Sequence, residues 1–172
     1  MLRVVVVNRP TMRHVIMIAA LAGALLSGTF SSTAHAQAAL QRKLAQAQRL
    51  ECSFTVVSTA DWQGNKPSAA ASDATLNVNF FNINIDEGTA DMDGGFGQAF
   101  VSVRYANGYL HIMLISDAGP LHVTTVLASE TAGGRLKAVQ TRHEFSPTRV
   151  PGFTSRPEMY VGDCGIAANN PA

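Results

Sequence analysis

The stretch FVSVRYANGYLHIMLI, residues 100–115, predicts the fold of the chain around it. Asn107-Gly108 joins two alternating runs, and this dipeptide is the strongest short-range signal for a two-residue β-hairpin turn. Such a turn sets Val103 opposite Ile112. Turn chemistry and hydrophobic pattern agree on this register, so we predict an antiparallel hairpin with one buried face. That face carries apolar residues throughout: Val101, Val103, Tyr105, Leu110, Ile112 and Leu114.

Alternation of apolar and polar residues continues on both sides of the hairpin and predicts further strands from residue 52, over 75–85, over 121–127 and over 136–145. Residues 61–72 are expected to form a loop, and a change of phase at Phe80 and Phe81 predicts a bulge. Residues 147–164 contain three prolines and are expected to form an irregular tail across the sheet.

The inward faces of the last two strands are predicted from their apolar residues. For the strand over 121–127 the inward set is Leu121, Val123, Thr125 and Leu127. For the strand over 136–145 it is Val139, Thr141, His143 and Phe145. The opposite phase of that strand would give a polar lining of Leu136, Ala138, Gln140 and Arg142.

These segments predict an all-β domain, an antiparallel meander of about seven or eight strands with a short N-terminal helix. A small barrel and a two-sheet sandwich both fit the pattern. The expected organisation is a cleaved signal peptide over 1–36, a short helix or leader over 37–51, one β domain over 52–164 and a disordered tail over 165–172.

The N-terminal segment resembles a signal peptide in its layout. Three arginines precede an apolar run over 15–26, and Ala34-His35-Ala36 follows. The run has about 12 residues, whereas a membrane-spanning helix needs about 20. We therefore predict cleavage between Ala36 and Gln37 and a periplasmic or secreted protein, with an uncleaved anchor as the alternative. Translation from Met1 and from Met12 are both compatible with this layout.

Charge and cysteine content restrict the partners. The chain has 13 basic and 12 acidic residues, and removal of the three signal arginines leaves ten basic against 12 acidic, a net charge of −2. No basic run remains, which argues against nucleic acid and anionic membrane surfaces as partners. No membrane span is expected after cleavage. Cys52 and Cys164 are predicted to form one disulfide, as a cysteine pair in an exported chain usually does.

Three histidines, His111, His122 and His143, fall on successive predicted strands. Metal ligands must converge on one point. The predicted registers turn His111 and His122 outward and His143 inward, so no metal site and no cofactor are expected. Arginines and glutamates near the last strand are interpreted as an ion-pair network that fixes the tail: Arg142, Glu144, Arg156 and Glu158.

The sequence contains no catalytic motif, and the expected function is a non-enzymatic binding module. Its ligand would be a small apolar molecule in the barrel or a component of the cell envelope. The candidate ligand-binding residues are Tyr105, Leu110, Ile112 and His143, with the hydroxyl of Tyr105 at the polar end. A small hydrolase or isomerase on the same scaffold is the alternative, and a structural envelope protein is the second alternative. An enzyme should show converging ionisable groups with shifted pKa values.

Overall fold

The protein is described by a computed structural model that covers residues 29–94, 97–116, 119–145 and 156–168, with side chains from residue 34 onward. One helix precedes eight strands: α1 (Thr29–Ala45), β1 (Leu50–Gln63), β2 (Lys66–Asn84), β3 (Thr89–Gly94), β4 (Ala99–Ala106), β5 (Tyr109–Ile115), β6 (Leu121–Glu130), β7 (Leu136–His143) and β8 (Glu158–Ile166).

The chain divides into two compact units, Met1–Ala38 and Ala39–Ala172. Within the described residues the first unit consists of the N-terminal part of α1. In the same residues, no helix has the length and apolar character that crossing a membrane requires. The apolar run of the predicted signal lies outside the described residues, and the predicted cleavage site falls within α1.

The eight strands form one closed antiparallel barrel. Each strand pairs with the next along the chain, and β8 pairs with β1 to close the ring. This confirms the all-β meander with an N-terminal helix, and it decides between the two architectures that the sequence allowed. The helix begins and ends earlier than the leader predicted over 37–51.

The hairpin of β4 and β5 has the predicted register, with Val103 opposite Ile112 and Tyr105 opposite Leu110. Asn107 and Gly108 have φ angles of 50° and 81°, the positive values that this two-residue turn requires. Val103, Leu110 and Ile112 are buried inside the barrel.

The loop predicted over 61–72 is wrong, because β1 and β2 run through it as a long hairpin. Gly64 and Asn65 make the turn, and Trp62 lies opposite Pro67. Gly64 has a φ of 63°, so a tight turn is accessible without a longer loop. The predicted change of phase occurs slightly later than Phe81, where Asn82 has a φ of 52° and the pairing of β2 with β3 shifts.

The predicted inward faces of β6 and β7 are also wrong. In β6 the buried residues are His122, Thr124, Val126 and Ala128, and in β7 they are Leu136, Ala138 and Gln140. The more apolar set of each strand lies on the outer surface, where Val123 and Val139 are half-buried. The lining of β7 is therefore the polar one that the sequence left as an alternative.

The expected irregular tail contains the closing strand. Prolines 147, 151 and 157 all precede β8, so none of them interrupts its hydrogen bonds. Residues 146–155 lie outside the described part. Cys164 of β8 lies directly opposite Cys52 of β1, and the two form the predicted disulfide. A disulfide is compatible with an oxidising compartment.

The apolar core lies in the half of the barrel next to the C-terminal part of α1. Its largest fully buried side chains include Leu44, Leu50, Phe54, Phe80 and Leu110. Leu44 comes from α1, and the hydroxyl of Tyr105 donates a hydrogen bond to the backbone oxygen of Gln41 at 2.9 Å. The part of α1 that follows Ala38 therefore covers this end of the barrel through both apolar and polar contacts.

Replacing Tyr105 with phenylalanine should lower the free energy of unfolding by about 1 kcal/mol, because the partly buried hydrogen bond to the backbone oxygen of Gln41 is lost. Tyr109→Phe is the matched control, since Tyr109 is exposed on the outer surface and its change should stay within about 0.5 kcal/mol. Urea unfolding followed by circular dichroism measures both. Equal effects of the two variants would contradict the proposed contact with α1.

Candidate functional site

A group of polar side chains faces the interior in the other half of the barrel. The group, called here the polar lining, comes from three neighbouring strands and consists of His122, Thr124, Gln140, Arg142, Glu158 and Tyr160. Lys43 of α1 reaches Glu130, at the opposite end of β6 from His122. The polar lining therefore lies away from the helix-covered end.

Strand register explains why these residues share one space. Directly opposed residues of antiparallel strands point to the same face of a sheet. His122 lies opposite Arg142, and Arg142 lies opposite Glu158. Thr124 lies opposite Gln140, and Gln140 lies opposite Tyr160. Two parallel rows of polar groups therefore cross β6, β7 and β8 inside the barrel.

The first row is built around the guanidinium of Arg142. Its Nη2 atom donates to Oε2 of Glu144, which follows β7. Its Nη1 atom lies 3.7 Å from Oε2 of Glu158. The side chains of Arg142, Glu144 and Glu158 are only 14%, 18% and 5% exposed. This is a largely buried ion-pair network. Removing one partner from such a network strongly destabilises the folded protein.

The second row contains a hydrogen bond between two neutral side chains and is connected to the first row through Tyr160. Thr124 Oγ1 donates to Oε1 of Gln140 at 3.1 Å, and both side chains are almost fully buried. The hydroxyl of Tyr160 donates to Oε2 of Glu158 at 2.8 Å. Tyr160 therefore joins the two rows through the carboxylate of Glu158.

Burial shifts the pKa values of two members of the polar lining. Burial lowers the pKa of His122 and the charge of Arg142 lowers it further, while Glu144 and Glu158 oppose this. The imidazole is therefore neutral at pH 7. Burial, together with the hydrogen bond and charge of Glu158, raises the pKa of Tyr160 to about 12. Its hydroxyl keeps its proton and acts as a donor.

Apolar residues lie beside the polar lining. Leu114 of β5 is opposite His122, Ile112 is opposite Thr124, and Val57 of β1 is opposite Tyr160. Ile112 is buried, whereas Leu114 and Val57 are half-buried. This half of the barrel therefore offers aliphatic carbon on β5 and β1 and polar groups on the three strands between them.

Three of the four candidate residues from the sequence lie in the interior. Leu110 and Ile112 are buried, and the hydroxyl of Tyr105 faces α1 rather than the polar lining. His143 is exposed on the outer surface, because β7 has the opposite phase from the predicted one. Their role in ligand binding stays a prediction.

No protein-family model, curated protein or solved structure matches the chain. What the polar lining does must therefore follow from its own geometry.

The sequence missed four of the lining residues as a site: His122, Thr124, Gln140 and Tyr160. The predicted ion-pair network is present for Arg142, Glu144 and Glu158, but Arg156 pairs with Asp61 of β1 instead. The predicted ion-pair network was the sequence feature that could have located this site. A buried arginine needs its carboxylate partners on the same face of the sheet. Within the described ranges, no three His, Cys, Asp or Glu residues group as metal ligands would.

Proposed function

We propose that the protein is a periplasmic or secreted binding module that takes one small molecule against the polar lining of its barrel. The observation that carries this proposal is the convergence of buried polar groups in one half of the interior. An eight-stranded barrel has an interior that side chains just fill or that holds one small ligand. A barrel serving only as a scaffold would favour apolar side chains there, because burying polar groups is costly.

The ligand in this proposal is amphiphilic rather than wholly apolar. Leu114 and Val57 would contact its apolar part, and the neighbouring His122, Glu158 and Tyr160 would hydrogen-bond its polar group. Binding sites of this kind combine mainly apolar walls with a few polar groups that fix orientation. The export signal predicted over 1–36 and the Cys52–Cys164 disulfide support an oxidising compartment outside the cytoplasm.

A neutral fluorescent dye tests the proposal. Nile red should bind the purified, disulfide-bonded protein with a blue-shifted emission and saturate at one dye per chain. Leu114→Trp should reduce this affinity at least tenfold, because the larger side chain fills space beside His122. Ile115→Trp is the matched control and should leave the affinity unchanged, since the neighbouring Ile115 points outward and is 76% exposed.

Circular dichroism must show that both variants keep their strand content, and Leu114→Phe replaces Leu114→Trp if the latter does not fold. The outer surface also carries exposed apolar residues, among them Phe100 and Met159. Binding that is lost in Met159→Ser but retained in the Leu114 variants would place the dye outside the barrel and contradict the proposal.

Acid–base catalysis at the same site is the second candidate function. It is favoured by the neutral imidazole of His122 beside the Arg142–Glu158 pair, since shifted pKa values of converging groups are typical of active sites. A neutral histidine is a suitable general base near pH 7. Hydrolysis of p-nitrophenyl esters with acyl chains of two to eight carbons tests this candidate. Turnover that His122→Asn abolishes would favour the hydrolase, and absence of turnover would favour the binding module.

A further inference from the structure

Together with Glu144, the polar lining contains two carboxylates and one guanidinium group. Arg142 is its one arginine, and it already faces both Glu144 and Glu158. An anionic ligand would have to displace one of these carboxylates to reach the guanidinium. It would then leave a buried carboxylate without its counter-charge, which is strongly unfavourable. The buried arginine is therefore not a vacant anion site.

The carboxylates also retain unused acceptor capacity. Glu158 uses Oε2 for both Tyr160 and Arg142. Within the part of the chain that the structure describes, the other oxygen of Glu158 accepts no hydrogen bond, and neither does the second oxygen of Glu144. The side chain of Glu158 is nevertheless 95% buried, as its 5% exposure shows. Neither of these two oxygens is fully enclosed, so each is accessible to a donor from water or from a ligand.

An ammonium group would supply the hydrogen-bond donors and the positive charge that the carboxylates of Glu144 and Glu158 can still accept. It brings one positive charge and up to three N–H donors and no acceptor. A carboxylate or phosphate ligand would bring acceptors and a charge of the wrong sign. Hydrogen bonds between an ammonium and a carboxylate are among the stronger ones in proteins because both partners are charged.

We propose that the ligand of the barrel is a small amphiphilic amine, whose ammonium group binds the carboxylate of Glu158 and whose apolar part lies against Leu114 and Val57. Glu144 adds negative charge near the same ammonium group through its shared contact with Arg142. This inference rests on the proposed function of a small-molecule binding module and names the class of its ligand.

Three probes with the same eight-carbon chain and different head groups test the inference: octylamine, octanol and octanoate. Each is titrated by calorimetry at pH 7 into the disulfide-bonded protein, below its micelle concentration. Octylamine should bind at least ten times more tightly than octanoate, with octanol between them. Glu158→Gln should reduce octylamine affinity at least tenfold and leave octanol affinity within about twofold.

Glu51→Gln is the control variant, because Glu51 is a 55% exposed carboxylate at the other end of β1 and its loss should not change octylamine affinity. Glu144→Gln provides a second test should Glu158→Gln fail to fold, and it should weaken octylamine binding severalfold. Octanoate or octanol binding as tightly as octylamine would overturn the amine assignment and keep the binding module. Absence of binding by all three probes and by Nile red would overturn the proposed function itself.

Discussion

Replacing Cys52 and Cys164 together with alanine should lower the free energy of unfolding by about 4–5 kcal/mol at 25 °C. The two residues are 112 positions apart in the chain, so their bond removes a large loop-closure entropy from the unfolded chain. Urea unfolding of the double variant beside the disulfide-bonded protein measures the difference. The strand content in the absence of urea should not change, because the backbone pairing of β1 with β8 does not depend on the sulfur atoms.

Reduction provides the control for this prediction. Wild-type protein treated with dithiothreitol should unfold at the same urea concentration as the double variant, within the effect of the small side-chain change. Identical unfolding of the oxidised protein with and without the reductant would contradict a stabilising disulfide between these two strands.

Arg142→Met should lower the free energy of unfolding by about 3–5 kcal/mol, the usual cost of removing one partner from a buried ion pair. The side chain of Arg142 is 14% exposed, and its loss leaves the carboxylates of Glu144 and Glu158 without a counter-charge. Adding Glu158→Gln to Arg142→Met should recover part of the loss, because one of the uncompensated charges is then removed. A double-mutant cycle by urea unfolding measures this coupling.

Arg49→Met is the matched control for the loss of an arginine. Arg49 lies 3.6 Å from Glu51 in an exposed pair, and such pairs contribute at most about 1 kcal/mol. If Arg142→Met were as mild as Arg49→Met, the network in the polar lining would have to be far more solvated than its burial indicates.

The sequence predicted the β4–β5 hairpin correctly because two independent signals agreed there. Asn107-Gly108 fixed the turn, and an apolar face on both strands fixed the register. The cysteine pair was also predicted, since export and an even number of cysteines favour a disulfide. In β6 and β7 a single signal, the side with more apolar residues, was used, and it gave the wrong face.

The failure at β6 and β7 has a physical reason. Here the outer surface keeps Val123 and Val139, while the interior takes His122 and Gln140. A rule that places apolar residues inside fails where the interior is polar, and such conflicts between local pattern and fold are expected at functional sites. This rule located the apolar core, but when it was applied to β6 and β7 it missed the candidate site. The partners of Arg142 were visible in the sequence, but which face they shared depended on the phase of β7.

The pairing of β1 with β8 has a consequence for how the chain acquires its structure. Every other strand pair joins neighbours in sequence and can form as soon as both strands have been synthesised. The closing pair needs Ile166 to meet Leu50, so it must wait for nearly the whole chain. Contacts between distant residues slow folding because a long loop must be ordered first. Until that moment β1 carries an unpaired edge, which can pair with other chains, so ring closure is the step at which a crowded compartment competes most directly with folding.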